Sequence, residues 1–245
     1  MNKLLLIPFI FFTFLNTNSQ NFKGIIEYGK RSEEKVLTKE DIKRKKENPE
    51  KHKRFQKMNS MYAEGEKKLI FKLKIDNNAS NFKMKPLLKS VNSKKQLGPG
   101  PYDRGIYFNK DFRILQLNAF GELFLISKPK LIWKIYKENK KIGNYVCLKA
   151  TTEISINSQG SKELITAWFT PKIPLSFGPL GYDGLPGLIL ELEIHKKIYF
   201  VKKLTLNPKE QIKTGMPTKG VKLTEKEFQK VSSGTLDKFR KNRGY

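Results

Sequence analysis

Between Gly105 and Leu206 the chain repeats one rhythm: short runs rich in β-branched and aromatic residues, each closed by turn chemistry. The runs cover 105–109, 112–117, 122–127, 131–137, 145–156, 163–169, 188–194 and 198–206. Ala119-Phe120-Gly121, Asn139-Lys140-Lys141, Asn157-Ser158-Gln159-Gly160 and His195-Lys196-Lys197 read as turns between them. Connections this short join antiparallel neighbours, because a parallel crossover needs a dozen or more residues. The rhythm therefore predicts a mainly β chain built as an antiparallel meander, either a curved sheet or a barrel-like one. Upstream, Phe22–Tyr28 reads as an opening strand. Leu69, Phe71, Leu73 and Ile75 alternate with Lys68, Ile70, Lys72 and Lys74, the period of a half-buried strand. Phe82–Met84 starts another.

Two segments break the β rhythm. Residues 38–65 read as one or two helices: Thr38 with Asp41 resembles a capping box, Pro49 interrupts, and Gly65 suits a C-terminal cap. Phe55, Met58, Met61 and Tyr62 recur at helical spacing and predict a face docked on the core. Thr224–Gln229 and Leu236–Arg240 are weakly helical. Leu97-Gly98-Pro99-Gly100-Pro101 marks residues 89–101 as loop, and Asn78-Ala79-Ser80 matches an N-glycosylation acceptor.

The first residues carry an address. Lys3 supplies a positive charge, Leu4 to Leu15 is apolar apart from Pro8 and Thr13, and Thr17 and Ser19 are the small residues a cleavage site needs. Residues 1–19 thus read as a signal peptide. No later run reaches the roughly 18 apolar residues of a membrane span, so the mature chain is expected to be periplasmic or secreted without a transmembrane span. The expected organisation is a signal peptide at 1–19, one β-rich domain at 20–206 with a helical insertion at 38–65, and a basic C-terminal tail at 207–245.

Charge matters for partners. The chain has 49 Lys+Arg against 23 Asp+Glu, a formal net charge of +26. In an exported protein the anionic partners are lipid head groups and acidic polysaccharides, and nucleic acid is not expected in the cell. Residues 38–57 concentrate nine Lys/Arg against four acids, which makes Lys43, Arg44, Lys45, Lys46, Lys53 and Arg54 candidates for an anionic surface. One Cys excludes an intramolecular disulfide, and two His beside it argue against a zinc cage, so no metal or cofactor is expected.

The most informative stretch joins two of the strand runs. Ala167-Trp168-Phe169-Thr170-Pro171-Lys172-Ile173-Pro174 leads to Gly178-Pro179 and then to Gly184-Leu185-Pro186-Gly187-Leu188-Ile189. Prolines fix backbone angles and glycines take turns other residues resist, so residues 170–187 form a stiffened loop. Such a loop is either a structural crossover that packs the sheet or a binding edge on a scaffold. Trp168, Thr170, Pro171, Pro174, Gly178, Pro179, Gly184, Leu185, Pro186 and Gly187 are the candidate binding residues.

With these motifs the sequence resembles the GLPGLI family, exported bacterial proteins of unknown function named for the hexapeptide that stands here at 184–189. Tyr145-x-Cys147-x-Lys149-Ala150, Ala167-Trp168-Phe169-Thr170-Pro171, Gly178-Pro179 and the opening Gly24-x-Ile26-x-Tyr28 carry the rest of the resemblance, while Lys172 stands where an acid is expected. The resemblance implies export and a β-rich fold, and implies no activity.

Catalysis would need a nucleophile with a base, a carboxylate pair or a metal cluster. His52 in the lysine-rich helix and His195 in a turn read as surface residues, and Cys147 and the two tryptophans, Trp133 and Trp168, as core. Glu191 and Glu193 share one strand face and read as solvated rather than as an acid/base pair. The expectation is a non-catalytic accessory or binding protein of the cell envelope, with an envelope protein, lipid or peptide as partner. The alternatives are polyanion or lipid-head-group binding through the basic segments and, behind them, a hydrolase.

Overall fold

The computed structural model describes residues 22–33, 39–76, 79–86, 102–157 and 160–241. The segment 1–19, the Thr38 cap, the Asn78 acceptor and the 89–101 loop lie outside them. Two five-stranded meanders share a central strand. The first contains β2 (Phe71–Asp76), β3 (Ala79–Met84), β4 (Ile106–Asn109), β5 (Arg113–Ala119) and β6 (Glu122–Lys128). The second contains β7 (Lys134–Ile142), β8 (Tyr145–Ser155), β9 (Lys162–Thr170), β10 (Leu188–Ile194) and β11 (Lys197–Leu206). The central strand, β1 (Gly24–Ser32), pairs antiparallel with β2 on one side and β11 on the other.

The chain then adds β12 (Val221–Thr224), which pairs with β6. The order is β12-β6-β5-β4-β3-β2-β1-β11-β10-β9-β8-β7, a single sheet of twelve strands whose two ends do not pair, so it stays open. The antiparallel meander is as expected, with one exception. The β12–β6 pair is parallel, reached through the long connection 207–220, where no tight turn signals it. In the second meander, β7 starts at Lys134 and runs on through Asn139-Lys140-Lys141, which the sequence suggested as a turn. The turn falls at Gly143-Asn144, and Gly143 has φ +56°, the left-handed first position of a type II′ hairpin. Phe120-Gly121 and His195-Lys196 are left-handed at both central positions, the type I′ geometry that matches strand twist.

Alternation along the strands builds the core. Phe71, Leu73 and Ile75 of β2 all turn inward at 0% exposure. Phe71 stacks on Phe82 with ring centroids 5.5 Å apart, and Tyr28 meets Phe82 edge-on at 6.1 Å. Leu115 and Ile126 of the first meander share one buried cluster with Ile165, Ala167 and Phe169 of the second. Each such side chain contributes roughly 1.5–3 kcal/mol by leaving water, so the two meanders stabilise each other across a common interior.

Helices α1 (Lys39–Glu47) and α2 (Pro49–Lys67) fill the β1–β2 connection. Asn48 caps α2 by accepting from the Lys51 amide at 3.0 Å, and Pro49 occupies its first turn. Gly65 does not cap α2. The helix runs past it to Lys67, and the Lys68 amide returns to the Gly65 carbonyl. The predicted core-docking stripe is also corrected: α2 buries no residue, and Phe55, Met58 and Tyr62 remain 45, 42 and 40% exposed. The end of α2 is pinned to the sheet by Glu66 accepting from Ser32 and Lys197. The two weak C-terminal helical stretches are one helix, α3 (Glu225–Lys241). It opens on a capping box in which the Glu227 carboxylate accepts from the Thr224 amide and hydroxyl, both at 2.7 Å, and the Glu227 amide donates back to the Thr224 hydroxyl. Among the described residues no helix is long and apolar enough to cross a membrane.

Candidate functional site

The β9–β10 connection packs inward. Ile173, Leu175, Phe177, Leu180, Tyr182 and Leu185 are all buried. Backbone bonds fold it tightly: Leu188 donates to Ile173 O, Ile189 to Phe177 O and Gly184 to Ser176 O, all within 3.1 Å. Two glycines are required by close approach. A Cβ on Gly187, at φ +156°, would stand 2.2 Å from the Thr170 carbonyl oxygen, and one on Gly178 would stand 2.7 Å from Ile189 Cβ. The candidate binding residues therefore do not converge on one surface. Thr170, Gly178, Pro179, Leu185 and Gly187 are buried, while Pro171, Pro174, Gly184 and Pro186 face solvent. Trp168 lies on the opposite face of β9 from Ala167 and Phe169, half-buried, with the Lys140 ammonium 4.2 Å from its ring centre.

What the connection grips is the other meander. Asn109 at the end of β4 donates to Gly181 O and to Asp183 Oδ2, both at 2.8 Å. Arg113 at the start of β5 donates to Gly181 O at 3.0 Å through Nε, which is also 3.3 Å from Asp183 Oδ1, and its Nη1 reaches Pro129 O at 2.6 Å. Trp133 Nε1 holds the Asp183 carbonyl at 2.7 Å, and the Tyr28 hydroxyl reaches Ile189 O at 2.6 Å. Burial lowers the Arg113 pKa and raises that of Asp183, each opposed by the partner's charge. This is a clasp between the two halves of the sheet. Asn109, Arg113 and Asp183 were not singled out from sequence, because only the fold brings together residues 68 to 74 positions apart.

Above the clasp the meanders line a cavity of about 380 Å³ that is partly open to solvent. Leu115, Ile126, Leu180, Ile194 and Phe228 give it apolar walls. Its floor is polar and internally paired: Lys30 Nζ meets Asp103 Oδ2 at 2.6 Å, and the Tyr199 hydroxyl donates to Asp103 Oδ1 at 2.7 Å. Burial, with Asp103 beside it, pushes the Tyr199 pKa far above its ordinary value. Helix α3 roofs the cavity. Glu225 pairs with Lys128 of β6 at 2.8 Å, Phe228 meets Phe124 edge-on at 5.3 Å, and Gln229 donates to Ser155 O of β8 at 3.1 Å. The roof thus bridges both meanders. Lys128, His195, Lys197, Glu225 and Gln229 add charged and polar groups to the lining, and the volume falls within the roughly 300–1,000 Å³ of small-molecule sites.

The residues weighed for catalysis lie apart from this cavity, His195 excepted. Cys147 is fully buried in β8, and burial pushes its thiol up to about 11, so it stays protonated near neutral pH. Glu191 is not solvated: it is 7% exposed and accepts from Lys140 at 2.5 Å and Arg31 at 3.4 Å. Its neighbour Glu193 accepts from Trp168 Nε1 at 3.3 Å. His195 sits exposed in the β10–β11 turn at the cavity rim, paired with Glu163. His52 is half-buried on α2. Among the described residues no group of three or more His, Cys, Asp and Glu side chains is placed to hold a metal ion. Of the anionic-surface candidates, Lys43, Lys45 and Lys46 on α1 and Lys53 and Arg54 on α2 are exposed, and the Arg44 side chain lies outside the described set.

A family model described as a protein of unknown function (Porph_ging) matches residues 156–191, the end of β8 through β9 and the clasp into β10. Two solved structures of PNGF-II, in the C2 and P21 space groups, match with 13% identity and TM-scores of 0.44 and 0.45. They cover 85 and 86% of this chain but 32 and 33% of their own, so the chain spans about a third of their length. No curated protein matches it.

Proposed function

We propose that this chain is an exported, non-catalytic binding protein of the cell envelope, periplasmic or secreted, that holds a small ligand in the cavity beneath α3. The observation that carries the reading is the cavity itself, partly open to solvent, with apolar walls over an internally paired polar floor and α3 as its roof. A partly open cavity of this volume, with apolar walls, falls in the range of small-molecule sites, which supports a ligand site. The Pro- and Gly-rich connection then serves as the rigid frame of the site. The hexapeptide 184–189 falls inside the matched span 156–191, which supports grouping the chain with GLPGLI-type proteins. The test is titration with an environment-sensitive fluorophore such as 1-aminoanthracene against the wild type and Leu115→Trp, which fills the cavity. Saturable binding that the variant abolishes while keeping its native melting transition supports the reading, and equal binding by both contradicts it.

A second reading concerns the α1–α2 hairpin, which joins exposed lysines to the exposed Met58 and Tyr62 side chains and buries nothing in α2. Helices in proteins are held mostly by burying an apolar face, and this one suits an anionic lipid surface. Flotation with phosphatidylglycerol vesicles that is lost on Met58→Asp/Tyr62→Asp supports it, and equal flotation with neutral phosphatidylcholine vesicles counts against it.

A further inference from the structure

The cavity does not end at its roof. A surface groove of about 730 Å³ runs outside it along the β6–β7 connection. Groove and cavity share Lys128, Glu225, Ile154 and Tyr182 as lining. The Lys128–Glu225 pair therefore stands where the inner cavity meets the outer groove. The outer space has a distinct chemistry. Its walls include Ile132 at 88% and Leu164 at 61% exposure, unusual solvent contact for such large apolar side chains. Its rim carries five cations. Three are neutralised: Arg113 by Asp183, Lys128 by Glu225, and Lys162 by Glu153 at 2.9 Å. Among the described residues Lys130 and Lys134 form no ion pair, and both are exposed. Lys134 instead lies over the Tyr136 ring, 5.3 Å from its centre.

We infer that the ligand is a single-chain amphiphile with an anionic head, its alkyl chain in the cavity beneath α3 and its carboxylate or phosphate at Lys130 and Lys134. This rests on the cavity reading and specifies its cargo. A neutral apolar ligand would have no use for these two groove ammonium groups, which form no ion pair among the described residues. A cationic head would meet net positive charge there, with Glu153, Glu225 and Asp183 in opposition and each already engaged. An anionic head completes the charge balance, and its chain continues along the apolar wall into the interior. The Lys128–Glu225 pair is part-buried, its side chains 22 and 28% exposed, and the alkyl chain passes beside it along the Ile154 and Tyr182 lining that groove and cavity share.

Affinities for dodecanoate, dodecyl phosphate, dodecanol and dodecylamine, measured by calorimetry at low ionic strength below their aggregation concentrations, test the assignment. The two anions should bind at least about tenfold more tightly than dodecanol, with the gap closing as salt rises. Lys130→Glu/Lys134→Glu should bring both anions to the dodecanol level and leave dodecanol unchanged. Whichever anion leads names the head group. Equal affinity for alcohol and anions, or a lead for the amine, overturns the head-group assignment while leaving the cavity reading intact. Failure of all four to bind overturns the cavity reading itself.

Discussion

Truncating Arg113 to alanine removes the side chain on which the clasp depends. In the native protein it is 6% exposed and serves three acceptors: Gly181 O, Pro129 O and the Asp183 carboxylate. Asn109 still covers Gly181 O in the variant, but Pro129 O loses its donor and Asp183 is left half-buried without its counter-charge. Leaving one member of a buried pair behind costs about 3–5 kcal/mol. For a chain of this size each kcal/mol lowers Tm by roughly 2–4 °C, so the melting temperature should fall by about 6–20 °C. Urea denaturation followed by tryptophan fluorescence reports the event locally, because Trp133 donates to the Asp183 carbonyl.

The penalty should depend on pH with a definite sign. Burial raises the Asp183 pKa above its ordinary value near 3.8. The folded site thus binds the Asp183 proton more tightly than the unfolded chain does, and the stability this confers is present below that value and lost as pH rises through the native one. The Arg113→Ala penalty should therefore shrink in acid, and Asp183→Asn added to Arg113→Ala should recover part of it at neutral pH. A variant within about 1 kcal/mol of wild type, below the range for a broken buried pair, would refute the clasp as a structural element.

Other substitutions probe neighbouring steps. Gly187→Ala sets a Cβ against the Thr170 carbonyl and should cost at least about 2 kcal/mol, read by the same urea curves. Cys147, buried with its thiol pushed up to about 11, should resist iodoacetamide at pH 8 in the native protein and react fully in urea; native labelling within minutes would contradict its burial. Phe228→Ala removes the aromatic anchor of α3 on Phe124. Hydrogen exchange should accelerate across 225–235 while β8–β10 keep their protection; unchanged exchange in α3 would show the roof is held elsewhere.

The meanders were legible because hairpins are local: Phe120-Gly121 and His195-Lys196 announce themselves beside the strands they join. The parallel strand β12 was not, since its partner β6 lies far back along the chain and no turn connects them. Thr224-x-x-Glu227 is a capping box by its letters and could have unified α3 in advance. Within the Pro- and Gly-rich connection, Ile173, Leu175 and Phe177 alternate with Pro174 and Ser176, a period of two that already favoured packing over display. The α2 stripe misled for a physical reason. Its spacing is that of a docked helix, yet α2 buries no residue and is tied to the sheet at its Glu66 end. The clasp and the cavity depend on side chains of ordinary polarity, such as Asn109, Lys128 and Glu225, whose roles follow from distances that local pattern does not encode.

The cavity's role as a ligand site is tested most directly by native mass spectrometry of the protein purified without denaturation from its own host, beside the cavity-filling Leu115→Trp. The account predicts a co-purified small molecule on the wild type, released on unfolding and missing from the variant. Bare protein mass for both, persisting after incubation with dodecanoate and dodecyl phosphate, would contradict it.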